Sequence, residues 1–162
     1  MNLGTAITGA IFIAIFMLPF IFMLRGRKKK EKQLRKSILT LASNHHCKIS
    51  QLEISEEFAI GIDETLNQLF FLKKTANKEI AQHVNLVEIK SCRVIKTGNT
   101  TGNKEDNYKS IDKLDLNFSF LDKKNHDISF VFYDSEENFG MDGEIQIIEK
   151  WAKIVNERLK NL

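Results

Sequence analysis

His45-His46-Cys47 sets three metal-ligating side chains in a row, and His and Cys are the residues a zinc ion prefers. Consecutive residues point in different directions, however, and a tetrahedral site needs four convergent ligands, usually with a second spaced pair. His83, Cys92 and His126 are scattered singly along the chain. The run therefore reads as a helix-to-strand junction carrying surface histidines, and no metal is expected. The second candidate is Asp134-Ser135-Glu136-Glu137-Asn138-Phe139-Gly140, as a calcium loop. An EF-hand needs Gly at its sixth position and Glu at its twelfth; counting from Asp134, those positions hold Phe139 and Ile145. The acids read instead as a solvated loop.

Cys47 and Cys92 are the only cysteines. A nucleophilic cysteine needs a cation, an imidazole or a helix N-terminus to depress its pKa, and no such group is aimed at either by the sequence. Cys92 reads as a small packed side chain in a strand. There is no G-x-S-x-G elbow, no phosphate-cradling Gly loop and no pair of carboxylates in an apolar setting. The expectation is a protein that is not an enzyme and takes no cofactor.

What positions the chain is its first segment. Leu3 to Leu24 is 22 residues without a charge. As a helix it would cover roughly 33 Å, close to the hydrocarbon thickness of a bilayer. A transmembrane helix is expected over 1–24, kinked near its end by Pro19. It lacks the basic start and small-residue cleavage pattern of a signal peptide. From Arg25 to Lys36 there are eight Lys or Arg and one Glu, whereas Met1 to Thr5 carries no charged side chain. Positive flanks stay inside, so the expected topology places the N-terminus outside and the rest of the chain on the cytoplasmic side of the inner membrane. Ala6, Ala10 and Ala14 recur at the spacing that lets two membrane helices approach, which would permit weak self-association. Arg25, Arg27, Lys28, Lys29, Lys30 and Lys32 are the candidates for contact with anionic headgroups, although a flank that only sets topology suffices to explain them and is the favoured reading.

The overall charge of +3 conceals an asymmetry. Residues 37–162 carry 16 basic and 20 acidic side chains, a net −4. That argues against nucleic acid as a partner, because phosphate binding needs clustered positive charge.

A basic amphipathic helix is expected over 25–43, with Leu34, Ile38, Leu41 and Ala42 as its apolar stripe and Asn44 as its stop. It connects span to domain and could pack on either. The domain, 44–162, then changes period. Phe58, Ile60 and Ile62 alternate with Ala59, Gly61 and Asp63. Leu114, Leu116, Phe118 and Phe120, then Ile128, Phe130 and Phe132, do the same. Each is read as a strand with one face on a core and one towards water, in antiparallel sheet. Lys48 to Ile54, Gln68 to Lys73 and Ile89 to Lys96 are further strand candidates, and Leu69-Phe70-Phe71-Leu72 should be covered on both sides. Thr97 to Lys109 reads as a polar hairpin tip. The chain closes on a helix capped by Asp142, whose stripe of Ile148, Trp151, Ala152, Val155 and Leu159 makes Trp151 its expected structural anchor.

Six or seven short antiparallel strands followed by one amphipathic helix give an α+β, mostly β, fold class. The strand count, Val87-Glu88-Ile89-Lys90-Ser91 entering a strand, and Trp151 in the last helix resemble the pleckstrin-homology-like fold over roughly Cys47 to Leu162. With the N-terminal span, the whole resembles bacterial single-pass proteins carrying such a domain. The resemblance implies a half-barrel with the helix capping an open end. It also implies headgroup binding by cations on the first two strands and their loop, but that loop is Ser55-Glu56-Glu57 and only Lys48 is near. The lipid-binding residues therefore do not carry over. The expected function is a membrane-anchored module that docks a protein partner at the inner leaflet. The alternatives are a module sensing lipid or ligand at the anionic surface and a small accessory subunit of a membrane complex.

Overall fold

The computed structural model describes Ile13 and residues 26–75, 78–98, 111–137, 140–141 and 143–162. Seven strands follow a helix, α1, that covers 26–44 of the described residues. The strands are β1 (Gln51–Ile54), β2 (Phe58–Asp63), β3 (Gln68–Lys74), β4 (Glu79–Asn85), β5 (Ile89–Thr97), β6 (Lys113–Phe120) and β7 (Ile128–Asp134). A 3-10 turn, Leu86–Glu88, joins β4 to β5, and α2 (Glu144–Lys160) ends the chain. The strands form two antiparallel sheets in sequence order, β1-β2-β3-β4 and β5-β6-β7. The chain is thus α+β and mostly strand.

Local chemistry sets the turns. At the β2–β3 turn, Asp63 Oδ1 accepts from the N–H of Thr65 (2.9 Å) and of Leu66 (3.0 Å), and Asn67 takes a left-handed φ of 55°. Asx bonding of this kind, with an Asn that tolerates positive φ, is what lets a β region without proline turn tightly. Asp63 Oδ2 also accepts from Lys48 N at 2.7 Å, tying the start of the β region to the same turn.

The inner faces of the sheets meet in an aromatic cluster. Phe71 lies 5.0 Å from Phe130, Phe58 lies 4.8 Å from Phe132, and Phe118 lies 4.8 Å from Phe130, ring centre to ring centre. Ile148, Trp151 and Val155 of α2 complete this core. The Trp151 indole N–H donates to Glu53 Oε2 at 2.8 Å, so its one polar atom is satisfied on β1 while its ring is buried. Asn156 serves β5 in the same way: its amide oxygen accepts from Cys92 N (3.3 Å) and its amide nitrogen donates to Cys92 O (2.8 Å), taking up backbone groups on a strand that pairs on one side only.

A second, separate cluster lies on the outer face of the four-stranded sheet. Leu34, Ile38 and Ala42 of α1 pack there on Ala59, Phe70 and Leu72. The expectation that β2 turns one face to water is therefore corrected. All six of its residues are buried, because α1 covers the face opposite the core. Leu69 to Leu72 is enclosed on both sides for the same reason. Gly61 permits a further close approach, since a Cβ there would stand 2.9 Å from Ile49 Cγ2.

Other expectations move. The left-handed residue after α1 is His46, at φ 58°, rather than Asn44. The N-cap position of α2 is Gly143, at φ 87° and without a side-chain cap bond; Asp142 lies outside the described residues. β4 was not foreseen, because Gln82 interrupts the apolar positions Ile80 and Val84. β1 is shorter than the run from Lys48. The expected membrane helix apart from Ile13, its Ala6, Ala10 and Ala14 stripe, Arg25 and most of the stretch from Thr97 to Lys109 fall outside the described residues. Among the described residues no helix is long and apolar enough to cross a membrane.

The α1 seam should be measurable. Ile38 is fully buried, so Ile38→Ala is expected to cost about 2–5 kcal/mol in urea denaturation, the usual range for such a truncation. A chain beginning at residue 26 should be soluble and folded, whereas one beginning at 45 should self-associate through uncovered Phe70 and Leu72. Equal behaviour of the two in size-exclusion chromatography would show that the seam is dispensable.

Candidate functional site

Four places gather chemistry-bearing side chains. The first is where α1 begins. The Arg27 guanidinium pairs with Glu56 of the β1–β2 turn, both side chains about half exposed. Two adjoining hollows flank this pair. One, of about 510 Å³, is lined by Gly26, Arg27, Lys30, Glu31 and Ile54 to Glu56. The other, of about 390 Å³, is lined by Lys30, Gln33, Leu34, Glu56, Glu57, Lys74 and Thr75. Cations and carboxylates alternate around both, so neither presents the concentrated positive charge that several phosphates demand. An exposed ion pair contributes about 0–1 kcal/mol. Burying Leu34 and Ile38 is worth roughly 1.5–3 kcal/mol each. The apolar seam, rather than the Arg27–Glu56 pair, holds α1. Arg27, Lys28, Lys29, Lys30 and Lys32 are all exposed, Arg27 in its pair with Glu56.

The second place was not legible beforehand. Lys73 is fully buried on the inner side of β3, with its Nζ 3.6 Å from Glu137 Oε2. Asp115 lies within electrostatic reach, and its Oδ1 is buried without a hydrogen-bond partner. Burial pushes the Asp115 carboxyl above the usual carboxylate range; Lys113 and Lys73 pull it down and Asp134 pushes it up. A charged residue at the end of an apolar strand gives no advance sign that its head will be enclosed.

Thirdly, the His45 and His83 rings lie with centres 4.0 Å apart and planes tilted by 39°, and Phe70 lies 5.8 Å from His45. The structure separates the members of the His45-His46-Cys47 run and brings His83 to the first of them. Burial, then the neighbouring His45, lowers the His83 pKa below its ordinary value. Among the described residues no three His, Cys, Asp or Glu side chains converge as a metal-ligand set.

The cysteines are the fourth. Burial pushes the Cys92 thiol up to about 12, which keeps it protonated and unreactive. Cys47 is raised too, by burial and then by Asp63, and its Sγ donates to His45 O at 3.3 Å. Trp151 is 1% exposed inside the core.

Comparison with protein-family models, with curated proteins and with solved structures returned no match.

Two titrations should be visible. The folded state holds His83 below 6.5, so it binds fewer protons there than the unfolded chain, and stability should fall as pH drops below about 6.5. Urea midpoints between pH 8 and 5 test this; His83→Phe should flatten the curve, and an unchanged slope would exclude His83 as its source. Asp115 has the opposite sign. Its folded pKa is raised above 3.8, so the stability it confers when protonated is lost as pH rises through that raised value. Asp115→Asn should therefore be as stable as the native chain at pH 7 or more so, and a lower melting temperature at that pH would refute the assignment.

Proposed function

We propose that the chain is a membrane-anchored cytoplasmic interaction module, with a pleckstrin-homology-like domain held at the inner leaflet to dock a protein partner. The observation that carries this reading is the α1 seam. If 1–24 spans the bilayer, Gly26 follows it almost at once, and a helix packed through Leu34, Ile38 and Ala42 makes the tether part of the domain. A tether of that kind fixes how the domain faces the membrane, as a flexible linker does not. The four-plus-three antiparallel strands with a C-terminal helix support the likeness in fold. The net −4 of residues 37–162 and the engagement of Glu56 by Arg27 favour a protein over a polyphosphorylated headgroup.

Purification of the native full-length protein from its membranes in mild detergent should bring down a single stoichiometric protein. Flotation with vesicles of neutral and anionic lipid should show only salt-sensitive attraction through Arg27 to Lys32, without headgroup selectivity. Saturable binding selective for one headgroup, with no protein partner, would replace this reading with lipid sensing.

A further inference from the structure

Packing on the sheet decides which way α1 turns its charges. Leu34, Ile38 and Ala42 face the four-stranded sheet. With 3.6 residues per turn, Lys29, Lys32 and Lys36 then fall on the side away from it, within roughly 60° of one another, and Lys28 and Arg35 flank them. All five are exposed, and among the described residues none has a carboxylate within 4.0 Å. Arg27 is turned the other way, to Glu56, and Glu31 lines the hollow against the β1–β2 turn. The one carboxylate among residues 26–44 therefore lies towards the sheet.

The positive excess survives a full count. Residues 26–44 hold seven Lys or Arg and one Glu. The segments that line the hollows along α1 add Lys74 and the carboxylates of Glu56, Glu57 and Glu79. With every carboxylate ionised, eight cations still stand against four. Those carboxylates belong to turns and strand ends on the sheet side, so the outward face of the helix is positive throughout.

We propose that this outward face of α1 lies flat on an anionic bilayer, so that the helix is held between the headgroups and the four-stranded sheet. The inference deepens the tethered reading given above and rests on it. It also changes the contact set, because Arg27 drops out and Arg35 and Lys36 join. If the apolar stretch ends at Leu24, Lys29 begins the stripe five residues later, so the bilayer is held beside these charges by the chain itself. A soluble acidic protein would find the same charges without that advantage. Attraction to anionic headgroups fades beyond about 8 Å at physiological salt. An upright α1 would carry Lys36 roughly 15 Å from residue 26, whereas a flat one keeps all five cations in range. Gly26, at the head of the helix, is the residue that best tolerates the bend this requires. Lying flat turns the three-stranded sheet, on the other side of the core, away from the membrane.

The test places a photo-crosslinking residue at Ser43 in the full-length protein, reconstituted in vesicles of phosphatidylcholine alone or mixed with phosphatidylglycerol. Ser43 is exposed, on the same outward side, and roughly 25 Å along the helix from residue 26, so only a flat helix brings it to lipid. Arg93, exposed on β5, is the control. The expected result is lipid adducts at Ser43 in the anionic vesicles, at least about fivefold above Arg93 and above neutral vesicles. They should disappear at about 1 M salt, where the screening length is about 3 Å. Lys29→Gln/Lys32→Gln/Lys36→Gln should abolish them with an unchanged urea midpoint; Arg25, Arg27, Lys28, Lys30 and Arg35 remain to hold the topology. Adducts no stronger than at Arg93, equal in the two kinds of vesicle, or replaced in native membranes by a crosslink to a protein would overturn the proposal. Alkaline carbonate washing separates the two failures. If the protein stays in the vesicles without Ser43 adducts, this inference alone is wrong; if it washes out, the tethered reading fails and this inference with it.

Discussion

The contact on which the rest depends is the packing of α1 against the outer face of the four-stranded sheet. A sheet whose second face carries Ala59, Phe70 and Leu72 cannot leave that face to water without exposing a contiguous apolar patch. Leu34, Ile38 and Ala42, one helical turn apart, supply the cover. The four-stranded sheet thus becomes a layer between two apolar clusters, and the chain's basic N-terminal helix becomes part of the folded unit. The consequence for function is geometric. Whatever holds residue 26 also orients the four-stranded sheet and its β2–β3 turn.

The two ends of the sheet differ in chemistry. At the α1 end, acids and bases alternate and neutralise each other, with Glu56 paired to Arg27 and Lys74 to Glu79. The interior of that end holds Lys73 and Asp115, a costly arrangement in which burial penalises both charges and the neighbouring opposite charges offset it in part. At the opposite end, Leu66, Val87 and Leu121 face out among exposed carboxylates and lysines such as Asp122 and Lys123. The one buried thiol, Cys92, is pushed away from reactivity by its surroundings.

Periodicity carried much of the architecture without any coordinates. Alternation at Phe58 to Asp63, Leu114 to Phe120 and Ile128 to Phe132 identifies strands, because side chains on a pleated strand repeat every two residues. The stripes of α1 and α2 likewise follow from the 3.6-residue turn, and Trp151 falls on one of them. The strand class, the antiparallel order and the two helices were legible for that reason. So was the need to cover Leu69-Phe70-Phe71-Leu72, though not the identity of the cover.

Tertiary structure alone decided the pairings between distant segments. Nothing near Arg27 indicates Glu56, nothing near Glu53 indicates Trp151, and nothing near His45 indicates His83, since each depends on how strands are placed side by side. β4 escaped because Gln82, satisfied by Ser129 O across the sheets at 3.3 Å, breaks the apolar repeat. The exposure of Leu66, Val87, Leu121 and Leu162 escaped because they sit in four turns or ends whose sequences are unrelated. By itself the sequence determined which residues alternate and which repeat every turn, because those are properties of the local backbone. Which faces meet, which charges are enclosed and which apolar side chains remain outside were decided by the packing of the two sheets and two helices, where neighbours in space are far apart in the chain.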